Sequence, residues 1–247
     1  MNLTIMTYNI QHGHVHQSEP SRIDLTAAGD VIRQAGADIV GLNEVRGLGE
    51  DPEYTAQAEF LAAYLGMHGW FGRSIYVGGH NPYGNAVLSR FPIIEARVYH
   101  IPDTTVDERE RIPTGKRPEP RSILRAVTEL PDLTRLAVYV SHFGLSAVEQ
   151  EHAVSYVLRI LETEALPFVL MGDFNTVPGD PVLGPLDDKL NTVHAMLGET
   201  KTYPSHAPEV RIDHFYASRA VRIRSAEVIP ALASDHRPVK IEVSVGG

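Results

Sequence analysis

Apolar runs in this chain stop repeatedly at a carboxylate, an amide or an imidazole. "TIMTYN" ends at Asn9, "DIVGLNE" at Glu44, "LAVYVSH" at His142, and "FVLMGDFN" at Asp173 and Asn175. "RID" sets Asp213 just before an aromatic run, and "SDH" sets Asp235 and His236 just before the last apolar one. Glu44 and Asp235 are hard oxygen donors that suit Mg2+ or Mn2+ with retained waters. His142 and His236 can donate hydrogen bonds to anionic oxygens. Asp213 can hold an imidazole by its other nitrogen, and Asp173 can orient or deprotonate a water. Together these groups point to hydrolysis at phosphorus, where catalysis rests on positioning and charge stabilisation. Taken singly, each has a plainer explanation: a structural histidine, a surface acid, or an Asx turn that caps its own backbone. Their joint occurrence favours a site.

Such groups need a rigid frame. "LTIMTYNI", "DIVGLNEV", "GNAVLSRFPI", "SILRAVTEL", "RLAVYVSHFGL", "FVLM", "IDHFYAS" and "PVKIEVSV" read as strands, being short, apolar and β-prone. Gly172 is expected to let the chain leave the sheet, with Asp173 and Asn175 sharing a face at i and i+2. A capping box at Ser21 and Asp24 is expected to open a helix running to Gly36. "AQAEFLAAYLG" and the region from Ala147 to Glu164 give two more helices. Three helices are too few to follow every strand of a βαβ barrel. A layered α/β sandwich with mixed or antiparallel sheets fits better, its strand ends gathered at one edge into a cleft.

With 247 residues, no linker and no repeat, the expectation is a single domain over 1–247. The absence of cysteine excludes disulfides, thiolate zinc sites and a cysteine nucleophile. No basic n-region and no long apolar span are visible, so a cytoplasmic protein without membrane insertion, and a monomer, is expected. Net charge is −9, from 22 Lys+Arg against 31 Asp+Glu, which argues against a non-specific nucleic-acid coat. The basic stretch 109–125 holds Arg109, Arg111, Lys116, Arg117, Arg121 and Arg125, mostly expected as a solvated loop. The longer segment 102–120 is expected to form a mobile rim that helps choose substrate.

The chain resembles the endonuclease/exonuclease/phosphatase superfamily. The resemblance lies in "TYNIQHG", "GLNEV", "GNAVLSR", "PRSILRA", "VSHFGLS", "LMGDFNTVPGDP", "RIDHFYAS" and "SDHRPV", in that order over residues 4 to about 240. It implies a deoxyribonuclease-I-like, four-layer sandwich of two mixed, mainly antiparallel sheets flanked by helices. It also implies a Mg2+- or Mn2+-dependent phosphoesterase with Glu44 as principal metal ligand, supported by Asn9 and Asp235. Asp173 would position the attacking water, with Asn175 on a phosphate oxygen. His142 and His236 would contact non-bridging oxygens, Asp213 would pair with His236, and Arg121 would face the phosphate. Asn85 would lie in the cleft as a substrate contact. Two departures stand out. Gln11 replaces an acid found in some family nucleases, which weakens the case for an abasic-site nuclease. His214 replaces a frequent tyrosine and reads as a packing variant.

The substrate class left by this reading is a phosphoester, and the acidic balance tilts it towards a small or lipid-derived diester, with a nuclease as alternative. Two further readings compete. "HGHVHQ", with His12, His14 and His16, superficially suggests a dinuclear phosphoesterase of the calcineurin kind, but its companion motifs are absent. The cluster is expected to be a flexible loop at the rim. A catalytically idle scaffold is the other reading, since fold alone does not give function.

Overall fold

A computed structural model describes residues 1–15, 22–105, 110, 112 and 118–246. In chain order the strands are β1 (Asn2–Asn9), β2 (His14–Val15), β3 (Arg22–Ile23), β4 (Ile39–Arg46), β5 (His68–Val77), β6 (Asn81–Ser89) and β7 (Ile93–His100). Then follow β8 (Ser122–Glu129), β9 (Arg135–His142), β10 (Phe168–Asp173), β11 (Asn191–Thr192), β12 (Asp213–Ala217), β13 (Val221–Val228) and β14 (Val239–Val245). The α-helices are α1 (Leu25–Ala35), α2 (Gln57–Leu65), α3 (Ala147–Leu161), α4 (Gly184–Lys189) and α5 (His194–Leu197).

Two six-stranded sheets form the centre, ordered β13-β14-β1-β4-β6-β5 and β11-β12-β10-β9-β8-β7. Each is antiparallel except for one parallel pair, β1 with β4 and β10 with β9. The sheets face each other across an apolar layer that includes Leu3, Ile5, Val87, Leu124, Val140, Met171 and Phe215. The opposite face of the first sheet packs Met6, Val40 and Leu42 against Leu25, Ala28 and Ile32 of α1 and Leu61 of α2. That of the second packs Tyr139, Leu170 and Tyr216 against Val154 and Val157 of α3. Helix, sheet, sheet, helix: this is the four-layer sandwich. Among the described residues no helix is long and apolar enough to cross a membrane.

Local chemistry explains the helix ends. Asp24, whose side chain accepts from the Thr26 N–H, caps α1, and Gly36 closes it at φ 65°. The expected start at Ser21 is therefore not used: Ile23 is still extended, and Ser21 itself lies outside the described residues, as do His16, Arg109, Arg111, Lys116 and Arg117. A true capping box does occur, between Ser146 and Glu149 at the start of α3.

Arg125 does not belong to a solvated loop. It points from β8 into an ion-pair network, with Nε 2.7 Å from Oε2 of the buried Glu164 and Nη1 2.6 Å from Oε1 of the exposed Glu95. The Tyr139 hydroxyl donates to the same Glu164 oxygen at 2.6 Å. Because the Glu164 side chain is only 5% exposed, its removal leaves buried donors unpaired. Glu164→Ala should cost about 3–5 kcal/mol in urea unfolding; a loss near the surface-pair range of ~0–1 kcal/mol would contradict this network.

Candidate active site

Strand parity puts the polar residues where they meet. On β1, Leu3 and Ile5 face the inter-sheet layer, so Asn9 does too. On β9, Val138 and Val140 set the same parity for His142; on β10, Val169 and Met171 set it for Asp173; on β12, Phe215 and Ala217 set it for Asp213. The inner face is apolar along the sandwich and becomes polar at one end. Glu44 breaks parity. It would face α1 and α2 with Val40 and Leu42, but the β4–β6 ladder shifts between Leu42 and Val45, and Glu44 adopts φ 59°. The kink turns its carboxylate to the cleft, as bulges do beside functional sites.

Asn9, Glu44 and Asp173 converge. The Asn9 amide nitrogen donates to Glu44 Oε1 and to Asp173 Oδ2, each at 3.0 Å, while its Oδ1 accepts from the Gln11 N–H at 3.0 Å. The Tyr83 hydroxyl donates to Glu44 Oε2 at 2.8 Å; burial and then the Glu44 charge raise its pKa, so it stays a donor. Asp173 Oδ1 accepts from the Asn175 N–H at 3.0 Å. Asp173 is thus held without using up its Oδ2 lone pairs.

Two histidines flank that oxygen. His236 Nδ1 donates to Asp213 Oδ2 at 2.9 Å, and its Nε2 lies 3.5 Å from Asp173 Oδ2. His142 Nε2 lies 3.5 Å from the same oxygen. Arg121 Nη1 sits 3.0 Å from His142 Nδ1. A guanidinium only donates, as does an amide nitrogen, so Arg121 at Nδ1 and Asn175 at Nε2 both face His142 as donors. Arg121 Nη2 pairs with Glu119 at 2.8 Å. The Asn175 amide nitrogen donates to Phe143 O at 3.0 Å and lies 3.0 Å from His142 Nε2.

Burial works differently on the two rings. It pushes His142 well below the ordinary histidine range, and the Arg121 and His236 charges push it further, so His142 is neutral. Burial also pulls on His236, but the Asp213 and Asp173 carboxylates outweigh it, and His236 is held as an imidazolium. For Asp173, burial raises the pKa against the opposing His236 charge. A carboxylate so raised is a better proton acceptor.

Backbone strain marks the same place. Among described non-glycine residues, positive φ occurs at Gln11 (41°), His12 (47°), Glu44 (59°), Asn175 (50°) and Leu133. All but Leu133 border the cleft, where strain is held by its surroundings. Gly172 has a different reason from the one expected: β10 continues through it to Asp173, and a Cβ there would overlap Ser141 O on β9. Close approach, not an exit from the sheet, demands glycine. The first part of the histidine cluster is an ordered turn rather than a flexible loop. Gln11–Gly13 forms a tight turn through left-handed backbone, the Gln57 amide donates to His12 O at 2.8 Å, and His14–Val15 pairs with Arg22–Ile23.

Asp173, Asp213 and His236 bring ligand atoms within 4.8 Å of one another, a buried acid–histidine cluster able to hold a metal. Asp213 Oδ1 is buried without a hydrogen-bond partner among the described residues. His236, however, carries a proton there and would have to lose it to ligate. Glu44 keeps a free lone pair on each oxygen and is half-buried at the cleft. Asp235 is tied to the end of β1 through Ser234, whose Oγ lies 2.7 Å from Asn9 O and 3.2 Å from Asp235 Oδ1. Glu44 and Asp235 thus both lie beside Asn9 and offer the carboxylate oxygens that a hard divalent ion prefers. The Asn9 amide nitrogen orients Glu44, and its Oδ1, with one lone pair taken by the Gln11 N–H, keeps the other.

Asn85 lies under the cleft floor. It is 1% exposed, with Oδ1 accepting from Asn43 at 2.8 Å and Nδ2 donating to Ser122 O at 3.2 Å. That geometry leaves no group for substrate. Sequence reasoning passed over Asn43 and Tyr83; parity with Ile39 and Gly41 would have placed Asn43 on the inner face, whereas nothing marks Tyr83.

His214 turns from Asp213 to the other face of β12, stacked on Phe174 with centroids 5.3 Å apart. Its Nε2 donates to Thr176 O at 2.8 Å. Burial holds its pKa down at about 4 against 6.5 for the free side chain. Between those values the unfolded chain binds the proton and the folded one does not, so stability falls as pH drops through that window. His214→Phe should flatten the slope of unfolding free energy against pH there; an unchanged slope would contradict a neutral buried ring.

The sequence model of the endonuclease/exonuclease/phosphatase family matches residues 6–236. An endonuclease/exonuclease/phosphatase from Beutenbergia cavernae superposes with a TM-score of 0.78 at 26% identity, covering 100% of this chain and 72% of that one. A mannosyl-6-phosphatase from Bacteroides thetaiotaomicron gives 0.74 at 17% identity, over 98% of this chain and 99% of that one. ANGEL2, a 2',3'-cyclic phosphatase, gives 0.73 at 14%, over 98% and 95%. The last two likenesses establish the fold alone. A comparison with curated proteins finds no match.

Proposed function

The chain belongs to the endonuclease/exonuclease/phosphatase family, and on that premise we propose that it is a Mg2+- or Mn2+-dependent phosphoesterase that cleaves a phosphodiester by in-line attack of water. The observation that carries the reading is the convergence on Asp173 Oδ2 of an Asn9 amide at 3.0 Å and of the His142 and His236 Nε2 atoms at 3.5 Å. Those two separations are too long for hydrogen bonds. The His236 N–H at Nε2 is therefore available to an oxyanion placed there, while His142 Nε2 also meets the Asn175 amide at 3.0 Å.

Asp173 orients the water and takes its proton as the new P–O bond forms opposite the breaking one. The charged His236 donates from Nε2 to a non-bridging oxygen, and the neutral His142 contacts another. Asp213 keeps the His236 ring in place through Nδ1 and supports its charge. Asn175 and Arg121 complete the donors around the phosphoryl group. Glu44 and Asp235 would hold the divalent ion, whose chemistry there is neutralisation of charge on the phosphoryl and leaving oxygens.

The proposed substrate is a small or lipid-derived phosphoester. Its support is the net charge of −9. A nuclease would use the same centre. The idle-scaffold reading is opposed by the bonded Asn9–Glu44–Asp173 and Asp213–His236 groups. A panel of plasmid DNA, RNA, phospholipid, sphingomyelin, inositol phosphates and sugar phosphates, each with Mg2+ or Mn2+, tests the choice. Turnover confined to the small and lipid esters is expected; preferential cleavage of DNA or RNA would replace this substrate class with a nuclease.

A further inference from the structure

We infer that Asn43 is a positioning residue: its amide clasps the two sheets beneath the cleft and sets where Asp173 stands relative to Glu44. The inference rests on the phosphoesterase reading above. Asn43 is fully buried on β4, one residue before Glu44. Its Oδ1 accepts from the Asp173 backbone N–H at 3.0 Å. Its Nδ2 donates to Ser141 O at 3.0 Å and to Asn85 Oδ1 at 2.8 Å. Asn43 and Asn85 belong to one sheet, Ser141 and Asp173 to the other. The seam continues from Asn85 to Ser122 O, and from the Ser122 hydroxyl to that of Ser74 at 2.7 Å.

Apart from this seam and the Asn9–Asp173 bond, the two sheets meet through a layer of apolar side chains. Such contacts are non-directional and leave small sliding of one sheet on the other cheap. A buried amide behaves oppositely. Its donors and acceptor are satisfied in one register only, and an unmade bond there is costly. The water-positioning acid and the metal-side acid sit on different sheets, so their separation is a sheet-to-sheet distance. Asn43 bonds the backbone of one and is the chain neighbour of the other. A misplacement of about 1 Å in such a pair can cost roughly 10²-fold in rate.

The test compares Asn43→Leu, which removes all three bonds while keeping the branched shape, with Asn43→Ala and with Tyr139→Phe as a control. Tyr139→Phe removes a buried hydroxyl bonded to Glu164, outside the cleft. Melting temperature, kcat and KM are measured for each, with hydrogen exchange of the Asp173 amide. The expected result is a fall in kcat of about 10–100-fold in both Asn43 variants, the range for lost outer-shell support. KM should stay within about threefold, and Asp173 amide exchange should accelerate beyond that of Met171. The control should lose stability but keep its kcat. An Asn43→Leu protein that loses stability yet keeps wild-type kcat, or that leaves Asp173 exchange unchanged, would overturn the inference while sparing the parent reading. Should Asn43→Ala not fold, Asn43→Leu decides. A wild-type protein inactive on every phosphoester overturns the parent reading and this role with it.

Discussion

Replacing Asp173 with asparagine should lower kcat by roughly 10²–10⁴-fold, the range for loss of a general base or of an aligned electrostatic partner. The substitution keeps size and the acceptor that meets the Asn175 N–H, and loses the acceptor that meets the Asn9 amide. It removes the carboxylate whose pKa burial has raised and the charge that helps keep His236 protonated. Both losses act on the chemical step, so kcat should fall with little change in KM. Steady-state kinetics on any ester the wild type hydrolyses measures this. An Asp173→Asn enzyme within threefold of wild type would remove Asp173 from the role of base.

Glu44→Gln should have an effect of similar size through a different route. Glutamine keeps the shape that meets Asn9 and Tyr83, but not the anionic donor that a hard cation needs. Loss of the ion's charge stabilisation is worth several kcal/mol, or roughly 10³-fold in rate. The signature separating it from Asp173→Asn is metal affinity. A Mn2+ titration should show much weaker binding to Glu44→Gln and near-normal binding to Asp173→Asn. Equal affinity in Glu44→Gln and wild type would move the metal to the Asp173, Asp213 and His236 cluster.

These variants could be named from the sequence because each residue ends an apolar run, and that run is a central strand. β1, β4, β9, β10 and β12 are covered on both faces, so they read as apolar blocks whose polar ends stand out. Among the long strands, those not recognised, β5, β7 and β13, are sheet edges. β5 carries Gly69 and Gly72, and β7 and β13 mix in Arg97, Arg222 and Arg224. Edge strands need less burial and often carry charge, which blurs the pattern. Gly172 looked like an exit from the sheet because a glycine after an apolar run signals a turn equally well. Only the neighbouring strand shows that its missing side chain makes room for Ser141 O.

The site was legible in its members but not in its geometry. The ladder shift and left-handed backbone at Glu44 leave no trace in composition, since glutamate is not favoured there. The family resemblance alone implies Asn85 as a cleft residue, yet its amide bonds to Asn43 and Ser122 O beneath the cleft. Asn43, hidden inside "GLNEV", carries the larger structural task.

Hydrolysis of a chromogenic phosphodiester by the purified wild type, with Mg2+ or Mn2+ and then with excess chelator, beside Asp173→Asn, tests the central claim most directly. The expected result is turnover that disappears with the metal and falls at least 10²-fold in the variant. Turnover that persists in chelator, or that Asp173→Asn leaves intact, would contradict a metal-assisted attack of water at this site.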